Sequence, residues 1–244
     1  MESTVVVTGG SLSKAKVVAK VQRLPRLDRQ LIAFRVAREL KDGMYVNLGI
    51  GIPTLVSNWI EGRDIILQSE IGMLKTGPLA DESQADQDLV NAGSQCVTAP
   101  HGCSFFDLVE SFTMIRGGRM DVAVLGAYQV SEKGDLASWN NPARGLGNIG
   151  CIGGSMDLGV GAKRVIVAME HVTSNGDLRI LKECSYPLTC KACVDLIVTD
   201  LAVIEVSPAG LVLKEVVPGA TAEDIQTLTE PTLIIPDDLK EIEL

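Results

Sequence analysis

The regular alternation of short apolar runs with helical patterns most constrains how this chain can fold. The runs consist mainly of Val, Ile, Leu and Ala, as expected for strands that are buried on both faces of a parallel sheet. Predicted strands cover residues 44–48, 64–69, 95–98, 121–126 and 164–169, and predicted helices cover residues 30–40, 54–60 and 105–116. This alternation predicts an α/β fold with an open, mostly parallel sheet flanked by helices.

A hairpin is predicted near the C-terminus. Two apolar runs, residues 201–206 and 211–216, flank the turn residues Ser207-Pro208-Ala209-Gly210. Thr221 and Asp224 then have the spacing of a capping box, which predicts a short last helix. The chain of 244 residues suits one large domain better than two small ones.

The charge of the chain excludes two classes of partner. Its formal net charge is −9, and it has no cluster of Lys and Arg. We therefore expect neither nucleic acid nor an anionic membrane as a main partner. The sequence shows no membrane-spanning segment and no signal-peptide pattern, so we expect a cytoplasmic protein. Residues 3–27 are poor in acids, which leaves organelle targeting as the alternative for that segment.

The cysteines predict buried thiols. The chain has six of them, at positions 96, 103, 151, 184, 190 and 193. Cys190 and Cys193 form one CxxC motif, but no second CxxC follows, and the only histidines are His101 and His171. We interpret the pair as reduced, buried thiols and predict no metal site.

Two predicted strands end in residues suited to chemistry. Glu70 follows the strand 64–69 in the segment LQSEIGML, and the turn Gly49–Pro53 follows the strand 44–48. In parallel sheets, ligands bind beyond the carboxyl ends of the strands, so both segments are expected on one rim. Glu70 is either an ordinary solvated loop residue or a nucleophile at that rim.

Other arrangements of catalytic or binding residues have less support in the sequence. The G-x-S-x-G turn of serine hydrolases is absent, and the turn GIGIP lacks the G-x-G-x-x-G spacing of dinucleotide sites. Cys103 with His101 leaves a thiol nucleophile open. The glycine-rich segment from Gly145 to Gly154 is either a surface loop or a source of backbone N–H groups that stabilise an oxyanion.

Several segments carry a resemblance to a known family. LQSEIGML resembles the S-E-N-G signature of the B (β) subunit of class I CoA-transferases of the 3-oxoacid type. The segments YVNLGIGIPTLV, DLVNAG, GGSMDLG and KRVIVAMEH resemble successive blocks of that family, in the family's order. The resemblance covers about residues 28–230. It implies a CoA-transferase β-subunit domain over residues 28–244, preceded by an extension over residues 1–27 that has no counterpart.

The resemblance implies a catalytic mechanism. Glu70 would attack an acyl-CoA, form a mixed anhydride and then hold CoA as a glutamyl thioester, in a ping-pong reaction with a short carboxylic or 3-oxo acid. Gly154 would supply an oxyanion-stabilising N–H. Substrate or CoA binding would involve Asn47, Gly49, Gly51, Gly72 and Gly153. No cofactor is implied, because the CoA thioester is itself a substrate.

The resemblance also implies a partner. The family's complete enzyme has a separate A (α) subunit, so a heterodimer or heterotetramer is expected, with the active site at the interface of the two polypeptides. Two positions depart from the family pattern: Ile71 replaces an asparagine and Lys75 replaces a small residue. These departures leave the acid substrate open. They also leave an alternative function, in which the same fold acts as an acyl-CoA hydrolase, a decarboxylase or a ring-opening enzyme.

Overall fold

The structure is a computed structural model that describes residues 5–6, 12–142 and 152–244. Most of the glycine-rich segment, and Cys151 with it, therefore lies outside the described residues. Helices are α1 (Lys14–Val21), α2 (Arg29–Ala37), α3 (Leu108–Arg116), α4 (Ser155–Gly161) and α5 (Ala222–Gln226). A 3-10 helix covers Pro53–Trp59.

Most strands of the described residues belong to one large sheet. Its members are β1 (Val5–Val6), β2 (Tyr45–Leu48), β3 (Ile66–Ser69), β4 (Met73–Leu74), β5 (Ser104–Phe105), β6 (Val122–Leu125), β9 (Val165–Ala168), β11 (Leu196–Val198), β12 (Ala202–Ser207), β13 (Gly210–Val216), β14 (Leu233–Ile235) and β15 (Lys240–Glu241). A smaller sheet holds β7 (Gln129–Ser131), β8 (Leu136–Ala137) and β10 (Ile180–Leu181).

The centre of the large sheet is parallel. Strands β11, β9, β6, β2 and β3 lie side by side, and each pairs with the next in parallel. The sequences VAVL in β6 and VIVA in β9 are buried along their whole length, as expected for strands covered on both faces. The predicted fold class is confirmed, and the carboxyl ends of these strands meet at one rim.

Antiparallel strands extend the sheet on both sides. The hairpin of β12 and β13 is present where it was predicted, with the pair Ser207 and Gly210 closing the turn. On the other side, β4 folds back against β3, and β5 pairs with β4. This second extension places the chain after Glu70 beside α3.

Local side-chain chemistry explains where the helices begin. Asp28 accepts a hydrogen bond from the backbone N–H of Leu31 at 2.8 Å, which caps α2. Thr221 and Asp224 form the predicted capping box at the start of α5. Both N-termini lie where the sequence placed them.

Three predicted elements differ from the structure. The segment 54–60 is a 3-10 helix rather than an α-helix, and Pro53 is its first residue. The helix predicted over 105–116 begins at Leu108, because the side chain of Asp107 caps it. Residues 95–98 form isolated β-bridges instead of a strand. Within the described ranges, no helix is long and apolar enough to cross a membrane.

Candidate active site

An open cleft of about 770 Å³ lies beyond the carboxyl ends of the parallel strands. Glu70 lines it, together with the turn that follows β2, the turn that follows β6, and residues 168–179 after β9. Loops after neighbouring parallel strands converge at the same edge of a sheet, so this position follows from the topology. The cleft therefore lies where the sequence predicted a site, and Glu70 belongs to it.

A tight turn holds Glu70 at the rim. β3 ends at Ser69, and the N–H of Gly72 donates to the carbonyl of Ser69 at 3.0 Å, so the chain reverses at once into β4. Gly72 has φ +125°, and a Cβ there would collide with the carbonyl oxygen of Phe106. Only glycine fits, and the turn leaves Glu70 half-buried, with Ile71 46% exposed at its tip.

A buried amide orients the Glu70 carboxylate. The Nδ2 of Asn47, at the end of β2, donates to Glu70 Oε2 at 3.2 Å and to Gln68 Oε1 at 2.7 Å. Gln68 in turn donates from Nε2 to Ser111 Oγ on α3 at 2.8 Å. Asn47 is fully buried, and within the described ranges its Oδ1 has no partner. The side chain of Asn47 therefore acts here as a donor.

Gly154 lies directly against Glu70. A Cβ built on Gly154 would lie 3.3 Å from Glu70 Cγ and 3.2 Å from Phe112 Cζ, so a larger residue would displace one of them. Gly154 is the N-cap residue of α4, and Gly153 before it has φ +51°, in the left-handed region that favours glycine. The backbone of Gly153 and Gly154 therefore approaches the carboxylate without side chains between them.

The turn after β2 forms a further section of the lining. Gly49 donates from its N–H to the carbonyl of Val124 at 2.8 Å, which ties this turn to the end of β6. Gly51 has φ +95°, and the hydroxyl of Thr54 donates to the Gly49 carbonyl at 2.9 Å. Gly49 and Gly51 both line the cleft. The turn is thus fixed in shape and exposes its backbone to a ligand.

The predicted site residues fall into two groups. Glu70, Gly49, Gly51, Gly153 and Gly154 line one cleft. Asn47 and Gly72 lie behind that surface: Asn47 orients Glu70 from below, and Gly72 closes the turn that presents it. Direct substrate or CoA binding by these residues stays a prediction.

The far wall of the cleft carries a partly buried cation. Arg179 donates to the carbonyl oxygens of Tyr128 at 3.1 Å and Glu170 at 3.2 Å, and also to that of Ala127. Burial lowers the pKa of its guanidinium, and the nearby carboxylates oppose this effect. Arg179 links the chain after β6 to the chain after β9, which gives this wall a fixed shape.

The thiol alternative of the sequence analysis lies outside the cleft, because neither Cys103 nor His101 lines it. Burial raises the pKa of the Cys103 thiol, which disfavours the reactive thiolate. His171 is fully buried between the hydroxyls of Thr199, 3.0 Å away, and Thr229, 2.9 Å away. It is a structural residue at the base of the wall, so the geometry favours the carboxylate of Glu70.

Comparison with known proteins decides the family. A family model described as coenzyme A transferase matches residues 29–227. The chain belongs to the coenzyme A transferase family. It is 48% identical over 209 residues to the β (B-type) subunit of the 3-oxoadipate CoA-transferase of Pseudomonas putida, a match that covers 86% of this chain and 97% of that protein. The β (B-type) subunit of the succinyl-CoA:3-ketoacid coenzyme A transferase of Helicobacter pylori is 48% identical over 202 residues, which are 83% of this chain and 96% of that one.

A solved structure agrees on the fold. The Escherichia coli O157:H7 acyl-CoA transferase YdiF, in a thioester complex with CoA, superposes with a TM-score of 0.70 over 90% of this chain and 43% of that one. The sequence identity is 22%, so the likeness concerns the fold alone. The relatives confirm the predicted family: the chain is a CoA-transferase β subunit and belongs to an enzyme.

Sequence reasoning missed three residues in and around this cleft: Gln68, Phe112 and Arg179. Gln68 relays the contact between Asn47 and Ser111, and Phe112 lies beside Gly154 and Glu70. Gln68 could have been found, because it lies two residues before Glu70 and strand residues two apart share a face. Phe112 and Arg179 gave no such signal, since only the tertiary fold brings them to the cleft.

Proposed function

We propose that this chain is the catalytic β subunit of an enzyme that moves CoA between an acyl-CoA and a short carboxylic or 3-oxo acid. The position of Glu70 carries this proposal. Glu70 lines a cleft of about 770 Å³, its carboxylate is held by the amide of Asn47, and its Cγ lies beside Gly154, which has no side chain. A carboxylate presented in this way can attack a thioester carbonyl.

The proposed reaction is a series of acyl transfers. An oxygen of Glu70 attacks the thioester carbon, the C–S bond breaks, and CoA leaves as a thiolate with a mixed anhydride on Glu70. The thiolate then attacks the glutamyl carbonyl and releases the first acid, which leaves a glutamyl-CoA thioester. The acceptor acid reverses both steps. The CoA thioester is a substrate in this route, and no further cofactor takes part.

Negative charge develops on a carbonyl oxygen in each addition step. The backbone N–H of Gly154 lies at the start of α4, beside Glu70, where it would donate to that oxygen. One well-aimed donor of this kind contributes roughly 3 kcal/mol to transition-state stabilisation. Gly49 and Gly51 also line the cleft, where their backbone would contact the substrate.

The acid is proposed by class only. The relatives that are 48% identical are named for 3-oxoadipate and for succinyl-CoA with a 3-ketoacid, which supports short dicarboxylic and 3-oxo acids. The exposed Ile71 stands next to Glu70 at the rim of the cleft. An apolar side chain there is suited to contact the carbon chain of a substrate and offers no hydrogen bond to it.

We also propose a CoA-transferase α subunit as the partner. Exposed apolar side chains occur on the elements next to Glu70: on the turn after β3, on β5, and on the packed pair α3 and α4. They are Ile71, Phe105, Leu108, Val109, Met156 and Val160. A concentration of exposed apolar residues indicates a protein interface. An α subunit docked there would exclude water from Glu70, in a heterodimer or heterotetramer.

The test is a transfer assay with the purified complex of this chain and its α subunit. Without an acceptor acid, acyl-CoA should be consumed only in an amount equal to the number of active sites. Continuous turnover should require an acceptor acid and give parallel double-reciprocal plots at several acceptor concentrations. Steady turnover of acyl-CoA without an acceptor acid would instead favour the hydrolase, decarboxylase or ring-opening alternative. A screen of succinate, acetate, acetoacetate, 3-oxoadipate and butyrate then identifies the acceptor acid.

A further inference from the structure

The segment before α2 contacts the cleft although the family match begins only at residue 29. Residues 12–27 include α1 and pack into the same core as the parallel sheet. Their buried members are Val17, Val21 and Leu27, which are 2%, 4% and 6% exposed. We name this segment the N-terminal brace.

The brace contacts the tip of the turn that forms one wall of the cleft. Residues 173–177 make a tight turn in which Thr173 N donates to Asp177 O at 2.9 Å, and Thr173, Ser174 and Asp177 line the cleft. Gly176 faces the brace instead: a Cβ there would lie 2.5 Å from the carbonyl oxygen of Lys14 and 3.0 Å from a methyl group of Val18. The first turn of α1 is therefore packed directly on the wall.

The brace also fixes the base of the same wall. Arg26 Nε donates to Asp200 Oδ2 at 2.5 Å, and Leu27 N donates to the carbonyl of Asp200 at 2.9 Å. The other carboxylate oxygen of Asp200 accepts from the backbone N–H of His171 at 2.6 Å. The brace thus reaches residue 171 through Asp200, while α1 holds the tip, where Lys14 Nζ lies 2.5 Å from Asp177 Oδ1.

From these contacts we infer that the N-terminal brace is a positioning element of the cleft: it holds the wall segment 171–177 so that Thr173, Ser174 and Asp177 face the substrate. The inference rests on the proposed function in one respect: it takes the ligand of the cleft to be a CoA substrate. The wall follows β9, whereas Glu70 follows β3, and β6 and β2 lie between them in the sheet. Loss of the brace contacts should therefore weaken substrate binding and leave the chemistry at Glu70 intact.

The test compares two variants of the full-length chain in complex with its partner. Lys14→Ala/Val18→Ala removes the ion pair and the methyl contact on Gly176. The matched control, Lys20→Ala, removes an ion pair of the same helix to Asp224 on α5, where Lys20 Nζ lies 3.0 Å from Asp224 Oδ1, away from the cleft. Four quantities are measured: hydrogen exchange of the peptide covering 171–178, kcat with acyl-CoA, KM with acyl-CoA, and calorimetric affinity for desulfo-CoA, which lacks the reactive thiol.

We expect the double variant to exchange faster over residues 171–178, to raise KM and to weaken desulfo-CoA binding by roughly three- to tenfold, with kcat within about twofold. Lys20→Ala should change none of these. Faster exchange without a change in KM or affinity, equal effects of both variants, or a fall in kcat alone would overturn the inference. Hydrogen exchange and calorimetry do not require turnover. They therefore still test the role of the brace if the transfer reaction itself is not observed.

Discussion

Asn47 and Glu70 face each other across the carboxyl ends of two neighbouring parallel strands, with the Asn47 amide 3.2 Å from Glu70 Oε2. The same amide nitrogen donates to the backbone carbonyl of Gln68 at 3.0 Å and to its side chain at 2.7 Å. Three acceptors fix the orientation of one donor, so the carboxylate has a defined direction before substrate arrives. Pre-organisation of this kind is what a nucleophile at the edge of a sheet requires.

Replacement of Asn47 should reduce catalysis more than stability. Asn47→Ala removes the donor to Glu70, and a hydrogen bond to a charged group is worth about 1.5–3 kcal/mol, so kcat should fall roughly ten- to a hundredfold. Asn47→Asp should be worse, because it places a second carboxylate beside Glu70. Steady-state kinetics test this, and a kcat within twofold of the wild type for both variants would show that the contact is dispensable.

Gly154→Ala should impair the site by crowding. The new methyl group would lie 3.3 Å from Glu70 Cγ and 3.2 Å from Phe112 Cζ, so the carboxylate or the Gly154 backbone must move. Because a misplaced oxyanion donor typically costs roughly a hundredfold or more in kcat, we expect a loss of that size with a small change in melting temperature.

Gly161→Ala, on the same helix, provides the contrast. Its methyl group would collide with the carbonyl of Ile115 rather than with Glu70, so it should lower the melting temperature more than Gly154→Ala does. If Gly154→Ala and Gly161→Ala show the same ratio of activity loss to stability loss, Gly154 has no specific role in catalysis.

The pH dependence of stability should include a contribution from His171. Its pKa is lowered from 6.5 to about 4, chiefly by burial and also by the Arg179 cation, against the opposing effect of Asp200. The unfolded state therefore binds the proton more readily between about pH 6.5 and 4, so the free energy of unfolding should fall as the pH drops through that window. At about 1.4 kcal/mol per pKa unit, the full effect is roughly 3 kcal/mol.

Denaturant unfolding at a series of pH values measures this contribution. His171→Gln should flatten the difference between pH 6.5 and 4, whereas His101→Gln, at an exposed position, should leave the profile unchanged. Parallel profiles for the wild type and His171→Gln would refute the assignment.

A buried ion-pair cluster should stabilise the sheet from the α2 side. Arg35 is 8% exposed in its side chain and binds both carboxylate oxygens of Glu215, at 2.7 Å each, as well as Glu39 at 2.8 Å. Arg35→Ala leaves two partly buried carboxylates without this partner, so the free energy of unfolding should drop by roughly 3 kcal/mol.

Arg38→Ala, at the C-terminal end of the same helix, is the matched control. Its ion pair with Glu243 is exposed, at 42% and 80% of the two side chains, and should contribute less than about 0.5 kcal/mol. Equal destabilisation by both variants, measured by chemical denaturation, would contradict the distinction between buried and exposed pairs.

The sequence predicted the strand ends better than the connections between them. Glu70, Gly49 and Gly51 could be placed on one rim because apolar runs locate parallel strands and topology puts their carboxyl ends together. The 3-10 helix after Gly51 and the late start of α3 depended on Pro53 and on the Asp107 cap, whose effects the apolar pattern does not show. Arg179 and the N-terminal brace could not be predicted, because they reach the cleft only through contacts between distant segments.

Several predictions are still to be tested by experiment. The direct contacts of Gly72, Gly153 and Asn47 with substrate, the boundary between residues 1–27 and 28–244, and the cytoplasmic location stay predictions. Of these, the substrate contacts bear most on the mechanism, since Asn47 and Gly72 act behind the cleft surface in this structure.

The most direct test of the central claim is the covalent state of Glu70 during turnover. The complex is incubated with acyl-CoA without an acceptor acid, treated with borohydride, and digested for mass spectrometry. We predict that the peptide containing Glu70 carries CoA before treatment and an alcohol in place of the carboxyl afterwards, with matching loss of activity, and that Glu70→Gln shows neither change. Full activity after borohydride, or CoA attached to any residue other than Glu70, would contradict the account.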